Sequence, residues 1–311
     1  MKWRYLKSAV CSLLCTALVF SCIKGYGVYK EREWLKGQTF FLHSDQGQWY
    51  SYNLLEGMKP IQLPEGVLDG SLLKNGETYV GLYKQGEQVS IVEVDCAAQT
   101  METVVCAEQL QAWHWTTEKI GTFQYQPGTD DISFQYKGKI YLWRRVSGEL
   151  VQLGVDVAWA PCVEDRFAPR YTWLNENEVC YSETEGGQDL WVYYMDTGNV
   201  QKWKNEGLSI YCEDGTGNEI WTIKAERSEF LVYILSYGLY FYDAAEQKNT
   251  FVTRFWKYMF GGIKDGQWLA AAYDINDQYC EIMVGNKTGE LFSFIPSELE
   301  DIEGKIDEIT W

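Results

Sequence analysis

One pattern recurs along this chain and restricts what it can fold into. It consists of an apolar strand, a turn, an alternating strand, a polar turn and a short return strand. The clearest copy runs through residues 173–182, turns at Gly186-Gly187, and continues as Asp189-Leu190-Trp191-Val192-Tyr193-Tyr194. It then turns at Asp196-Thr197-Gly198 and returns over 200–203. Alternation with period two, bounded by Gly, Asn and Asp, marks antiparallel hairpins. The same order recurs over residues 39–63, 78–105, 131–153, 230–252 and 268–295, which makes six copies. The turns before the last strand fall near positions 57, 98, 148, 198, 246 and 289, spaced 41, 50, 50, 48 and 43 residues apart. A fixed period of this length indicates repeated supersecondary units that bury their faces against one another.

From the second copy onward an extra apolar segment stands ahead of each unit, such as 120–125 or 219–223, and is expected to be an innermost strand. Four strands per unit make a propeller blade. The expected fold is therefore all-β, a six-bladed β-propeller of four-stranded antiparallel blades. The first copy lacks an inner strand because the charged stretch 30–36 precedes it. Residues 305–311 (Lys-Ile-Asp-Glu-Ile-Thr-Trp) have the pattern of one, so the C-terminal strand is expected to join the first copy and close the ring. Closure removes an open sheet edge. The competing architectures are a long antiparallel sandwich and a pair of small barrels. The chain has material for a large core, since 46% of its residues are hydrophobic and 16% aromatic, which excludes a disordered protein. Ser297-Glu298-Leu299-Glu300 is the one helix start with a capping-box pattern in this body.

The run 175–198 resembles the repeat of TolB-type six-bladed propellers. The residues that carry the likeness are an Asn-Glu-Asn-Glu turn, an apolar strand ending in Ser182, Gly186-Gly187, Asp189-Leu190-Trp191-Val192-Tyr193 and Asp196-Thr197-Gly198. The turn that usually reads Pro-Asp-Gly in that family is Asn175-Glu176-Asn177 here, Lys74-Asn75-Gly76 in the second copy and Lys264-Asp265-Gly266 in the last. The resemblance covers residues 38–311 in shape and is strong over one blade. It implies a rigid extracytoplasmic disc of the kind often used to bind proteins, and it does not imply an enzyme.

The N-terminus carries an address. Residues 1–7 hold Lys2, Arg4 and Lys7, and residues 8–23 contain no charge. Sixteen residues fall between the roughly 7–15 of a signal-peptide core and the roughly 17–25 of a membrane-spanning helix. Leu18-Val19-Phe20-Ser21-Cys22 resembles a bacterial lipoprotein cleavage box, in which Cys22 would be acylated, although Phe20 stands where that box has a smaller or β-branched residue. A cleaved lipoprotein, an uncleaved anchor and a buried helix are all compatible with this stretch, and the first two place the body outside the cytoplasm. The expected organisation is a basic n-region at 1–7, a signal or anchor at 8–23, a linker at 24–37 and the propeller at 38–311. Residues 1–35 hold six basic and two acidic side chains. The remaining 21 basic and 42 acidic residues give 36–311 a charge of −21. That basic end suits the cytoplasmic leaflet, and so acidic a body repels a phosphate backbone, which disfavours nucleic acid as a partner.

Motifs for chemistry are sparse. His43 and His114 are the only histidines, and Cys96 and Cys106, the closest cysteines of the body, lie ten residues apart. The chain has no His-Glu-x-x-His, no Cys-x-x-Cys outside the N-terminal segment and no Gly-x-Ser-x-Gly nucleophile elbow. The six body cysteines (96, 106, 162, 180, 212 and 280) allow fifteen pairings, and their apolar strand positions suit free buried thiols for most of them. Paired carboxylates at Asp130-Asp131, Glu213-Asp214 and Asp274 with Asp277 would serve a glycosidase only if two converged at roughly 5–10 Å. Otherwise they are solvated turn residues. Asp214, Thr216 and Asn218 have the alternation of a calcium loop, but Glu219 stands where such a loop needs Gly.

Aromatic residues on connections offer a more promising surface. Trp113 and Trp115 flank His114, and Trp159 leads into the irregular segment 160–170 with Arg166 and Arg170. Such side chains stack on sugar faces or anchor peptides, and equally they fill the spaces between blades. These six residues are the candidate binding rim, on the ground that long loops on rigid scaffolds tend to carry function. The expected function is a membrane-tethered, extracytoplasmic, non-catalytic module that binds a protein or an envelope glycan, with no cofactor and no metal. The alternative is a carbohydrate-active hydrolase or lyase with carboxylates at the channel.

Overall fold

The computed structural model describes residues 33–73, 76–116, 120–157, 171–182, 189–206, 209–212, 219–227, 235–243, 246, 248–255, 259–273, 280–294, 296, 302 and 304–311. Segment 8–23 with Cys22, the insertion holding Trp159, Arg166 and Arg170, and the capping pattern at 297–300 lie outside them.

Among the described residues, twenty-four strands form six four-stranded antiparallel sheets. The second blade is β4 (Val67–Leu73), β5 (Thr78–Gln85), β6 (Gln88–Asp95) and β7 (Thr100–Val105). The third is β8 (Ile120–Tyr125), β9 (Ile132–Tyr136), β10 (Lys139–Arg144) and β11 (Glu149–Asp156). The fourth is β12 (Tyr171–Asn175), β13 (Glu178–Ser182), β14 (Asp189–Tyr194) and β15 (Val200–Glu206). The fifth comprises β16 (Ser209–Cys212), β17 (Glu219–Arg227), β18 (Leu235–Asp243) and β19 (Lys248–Phe255). The sixth comprises β20 (Met259–Lys264), β21 (Gln267–Tyr273), β22 (Cys280–Asn286) and β23 (Gly289–Phe294). The first blade is composite. β1 (Thr39–Ser44), β2 (Trp49–Asn53) and β3 (Gly57–Pro60) are completed by β24 (Ile306–Thr310), which pairs antiparallel with β1. The C-terminal strand closes the ring in the innermost position, as its sequence pattern predicted.

Two strand assignments need correction. In the fifth blade residues 219–223 are not the innermost strand but the start of the second, and β16 is innermost. The four residues of β16 are too few for alternation to show. In the first blade the outer strand is β3 at Gly57–Pro60 rather than 61–63, because Gly57, at φ +75, makes the turn and sends the chain straight into pairing.

Strand direction fixes two faces. Each innermost strand runs from the face where blades are joined to one another, here the connector face, to the face that carries the first and third hairpin turns of each blade, here the turn face. Three connections on the connector face, 106–119, 157–170 and 295–305, exceed ten residues, while none on the turn face is longer than six. Five of the six innermost strands carry one residue more than their partners: β4, β8, β12, β20 and β24. Such bulges increase local twist, which fits strands crowded around the axis.

Apolar layers fill the spaces between blades. Val80, Ile91, Phe123 and Phe134 pack between blades two and three, Ile140, Val155, Trp173 and Tyr181 between three and four, and Trp221, Phe241 and Trp268 between five and six. At the seam, Phe40 and Leu42 of β1 meet Leu269, Ile282 and Val284 of blade six around Ile309 and Trp311. Glycine is required at Gly76, whose φ is +81 and where a Cβ would stand 1.9 Å from the Phe41 ring of the neighbouring blade.

Candidate functional site

The connection from β7 to β8 forms a helix, α1 (Ala107–Ala112). Sequence reading missed it, because its N-cap is Cys106 rather than Ser, Thr, Asp or Asn. Gln109 compensates by accepting the Cys106 backbone N–H at 3.1 Å. Glu108 sits in the first turn, where a backbone hydrogen bond lowers its carboxyl pKa below the ordinary value.

The end of α1 explains the Trp-His-Trp sequence. Trp113 is the C-cap, and His114 follows at φ +55, a left-handed conformation that histidine tolerates better than most residues. The His114 N–H donates to the Gln111 carbonyl at 2.9 Å and the Trp115 N–H to the Leu110 carbonyl at 3.1 Å. That pair of bonds is a Schellman motif. The reversal drops Trp115 onto the seam between blades two and three. There its ring stacks on Tyr136 at 4.4 Å, meets Tyr141 edge-on at 4.6 Å and Phe134 at 5.9 Å, and touches Trp113 at 4.8 Å. Trp113 is half-buried and His114 exposed.

Two further residues belong to this ridge, and no motif marked them. Tyr136 ends β9, accepts the Thr116 N–H at 3.2 Å and lies beneath Lys137 Nζ, 4.9 Å from its ring centroid. Burial opposes ionisation of the Tyr136 phenol, but Lys137 and Thr116 outweigh it and leave the pKa below its ordinary value. Lys137 and Gly138, both at positive φ, form the two-residue turn that brings this lysine over the ring. The alternation of Phe134 and Tyr136 with Tyr141 was the available signal.

Of the six residues expected at a rim, the structure gathers Trp113, His114 and Trp115 into one ridge and commits Trp115 to packing. The strands that bracket the insertion, β11 and β12, end and begin on this same connector face. Asp131 is on the opposite face. It is 8% exposed, and its carboxylate accepts Arg144 Nη1 at 3.0 Å and the Arg145 N–H at 2.9 Å. Arg145 in turn pairs with Glu93 of blade two. This acid therefore joins turns and blades. The other paired carboxylates and the calcium-like loop lie outside the described residues, and among the described residues no three His, Cys, Asp or Glu side chains gather as a metal site.

A shallow cleft of about 560 Å³ lies between blades one and two, bordered by Phe41, Ser51, Gln62, Gly76, Cys96 and Gln99. Its thiol is unsuited to nucleophilic chemistry. Burial, helped by Asp95, pushes the Cys96 pKa up to about 11. Cys96 and Cys106 are free thiols.

No family model matches this sequence, and no curated protein matches it. Solved structures do. A chain of the nidogen/laminin complex superposes with a TM-score of 0.52 at 9% identity, covering 88% of this chain and 98% of that one. A putative TolB from Agrobacterium tumefaciens gives 0.49 at 12% identity over 71% of this chain and 78% of the other. Dipeptidyl peptidase 4 from Porphyromonas gingivalis gives 0.44 at 10% identity over 83% of this chain, which spans only 46% of the peptidase. The likeness is one of fold. The six four-stranded blades agree with the architecture read from the repeat.

Proposed function

We propose that this chain is a membrane-tethered, extracytoplasmic propeller that binds a protein or an envelope glycan, without catalysis, on its connector face. The observation that carries this reading is the asymmetry of the disc. All three connections longer than ten residues, with α1 and its aromatic cap, emerge on one face, while the other carries short turns. Rigid scaffolds place recognition in such loops. A half-buried Trp beside an exposed His and a lysine over a tyrosine ring offers an apolar stacking surface next to polar donors, the combination that anchors peptides and sugars alike. The nidogen/laminin complex is itself a protein assembly containing a propeller-like chain, and binding of that general kind needs no reactive group. Export and tethering rest on the basic n-region and the uncharged stretch 8–23.

The test uses the full chain in its native membranes. A photo-crosslinking amino acid replaces His114, and in a control it replaces Asp196 on the turn face. Adducts to a protein or glycan from His114 alone, weakened by Trp113→Ala, are the expected result. Equal adducts from both positions, or none from His114, would overturn the binding face, and recovery of the chain in the cytosolic fraction would overturn the tether.

A further inference from the structure

We infer that the disc has a fixed orientation on its membrane, with the turn face toward the bilayer and the connector face away from it. This rests on the tether proposed above and adds a direction to it. Residues 33–36 form a helical turn that is part of the folded body, not a free leash. Leu35 is 1% exposed, and Trp34 meets the ring of the last residue, Trp311, edge-on at 5.9 Å. Asn53 Nδ2 donates to the Gln38 carbonyl at 2.9 Å, fastening the chain just before β1.

All of these contacts are on the turn face. β1 starts there, Asn53 ends β2 there, and Trp311 follows the last residue of β24 there. Trp311 Nε1 donates to the Gly262 carbonyl at 3.3 Å, and Lys264, next to the first turn of blade six, lies 5.8 Å from its ring. The point where the chain leaves the body toward residue 23 is therefore fixed at the blade-one edge of the turn face. Nine residues, 24–32, separate it from the uncharged stretch, and even fully extended they span at most about 30 Å. Reaching around the disc would consume most of that length, because strands of five or six residues stand about 20 Å tall. Acylated Cys22 and an uncleaved anchor impose the same orientation. Trp113 and His114 then face outward, where a partner that is not part of the same membrane can reach them.

The full chain is reconstituted in lipid vesicles containing an acceptor-labelled lipid, with a donor fluorophore carried on a short peptide tag. The tag is inserted in one variant between Thr197 and Gly198 on the turn face and in another between Lys137 and Gly138 on the connector face. A second pair, at Lys287-Thr288 and Gln46-Gly47, repeats the comparison in other blades. Thermal unfolding of each variant establishes that it is folded. The expected result is greater energy transfer from both turn-face tags, by the shift that a height difference of about 20 Å produces. The reverse order, or equal transfer from folded variants, would overturn the orientation while leaving the tether intact. Failure of the folded chain to associate with vesicles would overturn the tether, and the orientation with it.

Discussion

The seam between blades six and one and the junction between blades three and four solve the same problem differently. At the seam no short connection carries the chain around the ring, and the join is a backbone ladder between β24 and β1 with an apolar plug of Phe40, Ile309, Trp311 and Leu35. Its polar contacts include the His43 Nδ1 to Asp307 Oδ1 contact of 2.6 Å at the β24 bulge and the Trp311 Nε1 bond to the Gly262 carbonyl of blade six. Blades three and four are joined by a buried polar network instead. Ser133 Oγ accepts Trp173 Nε1 at 2.8 Å and lies 3.1 Å from the Tyr171 hydroxyl, which donates to the Thr122 carbonyl at 2.8 Å. Gln124 Nε2 donates to the Tyr171 carbonyl and Gln126 Nε2 to that of Glu176. Closing a ring through its termini relies on burial and ladder pairing, whereas an interior junction can orient its strands with directional bonds whose loss is local.

That contrast predicts its largest effect at the seam. Trp311→Ala removes a 5% exposed indole that plugs the closing strand and supports Trp34. It should cost about 3–5 kcal/mol, read as a lowered midpoint in thermal or denaturant unfolding of the full chain. Proteolysis should also release the segment containing β24 earlier than in the wild type. A loss under about 1 kcal/mol would show that the ladder alone holds the ring and would break the comparison.

A smaller loss is expected where blades two and three are clasped. Arg145 reaches Glu93 of β6, lies 3.7 Å from Glu102 and donates its N–H to Asp131. Burial, with Glu93 as a second cause, raises the pKa of the nearby Tyr125 phenol. Arg145→Ala leaves a Glu93 carboxylate that is 18% exposed without its partner, costing about 2–3 kcal/mol. Glu93→Gln in that background should return part of it, because the unpaired charge is gone. Additive losses would mean the pair never interacted.

The sequence revealed the blades better than the ridge, and the reason is the range over which each signal acts. Strand alternation is local, so β13, β14 and the closing β24 were readable from residues side by side. β16, with four residues and no alternation, was not, and the fifth blade was read one strand out of step. Helix α1 is held by Gln109 reaching back to the Cys106 backbone, which no residue-type rule at the cap position signals. The two tryptophans were visible as residues, yet their separate roles depend on a left-handed His114 and on Tyr136 and Tyr141 arriving from another part of the chain. Bulges were invisible as well, since an extra residue such as Asp307 or Leu174 exists only relative to a partner strand.

Within the junction of blades three and four, Tyr171→Phe is expected to cost about 1–2 kcal/mol, the value of a buried hydroxyl whose acceptors lose their donor. Its ring is fully buried and remains in place, so the effect isolates the hydrogen bonds. Combined with Ser133→Ala, the loss should be less than additive, because both substitutions act on one network. Full additivity would reduce this junction to ordinary packing and remove its difference from the seam.

The smallest effect has the opposite sign. Thr122 lies in the β8 bulge at φ +56, a left-handed conformation that a β-branched residue adopts at a cost of roughly 1–2 kcal/mol. The Tyr171 hydroxyl bond to its carbonyl helps hold it there. Glycine carries no such penalty, and its added unfolded-state freedom takes back roughly 0.5–1 kcal/mol. Thr122→Gly should therefore leave stability unchanged or raise it by up to about 1 kcal/mol, while Thr103→Gly on the exposed outer strand β7 lowers it by about as much. Adding Tyr171→Phe sharpens the point. If the hydroxyl holds the bulge against the strain of Thr122, the hydroxyl should matter less once glycine removes that strain. An undiminished loss would assign the hydroxyl to Ser133 rather than to the bulge.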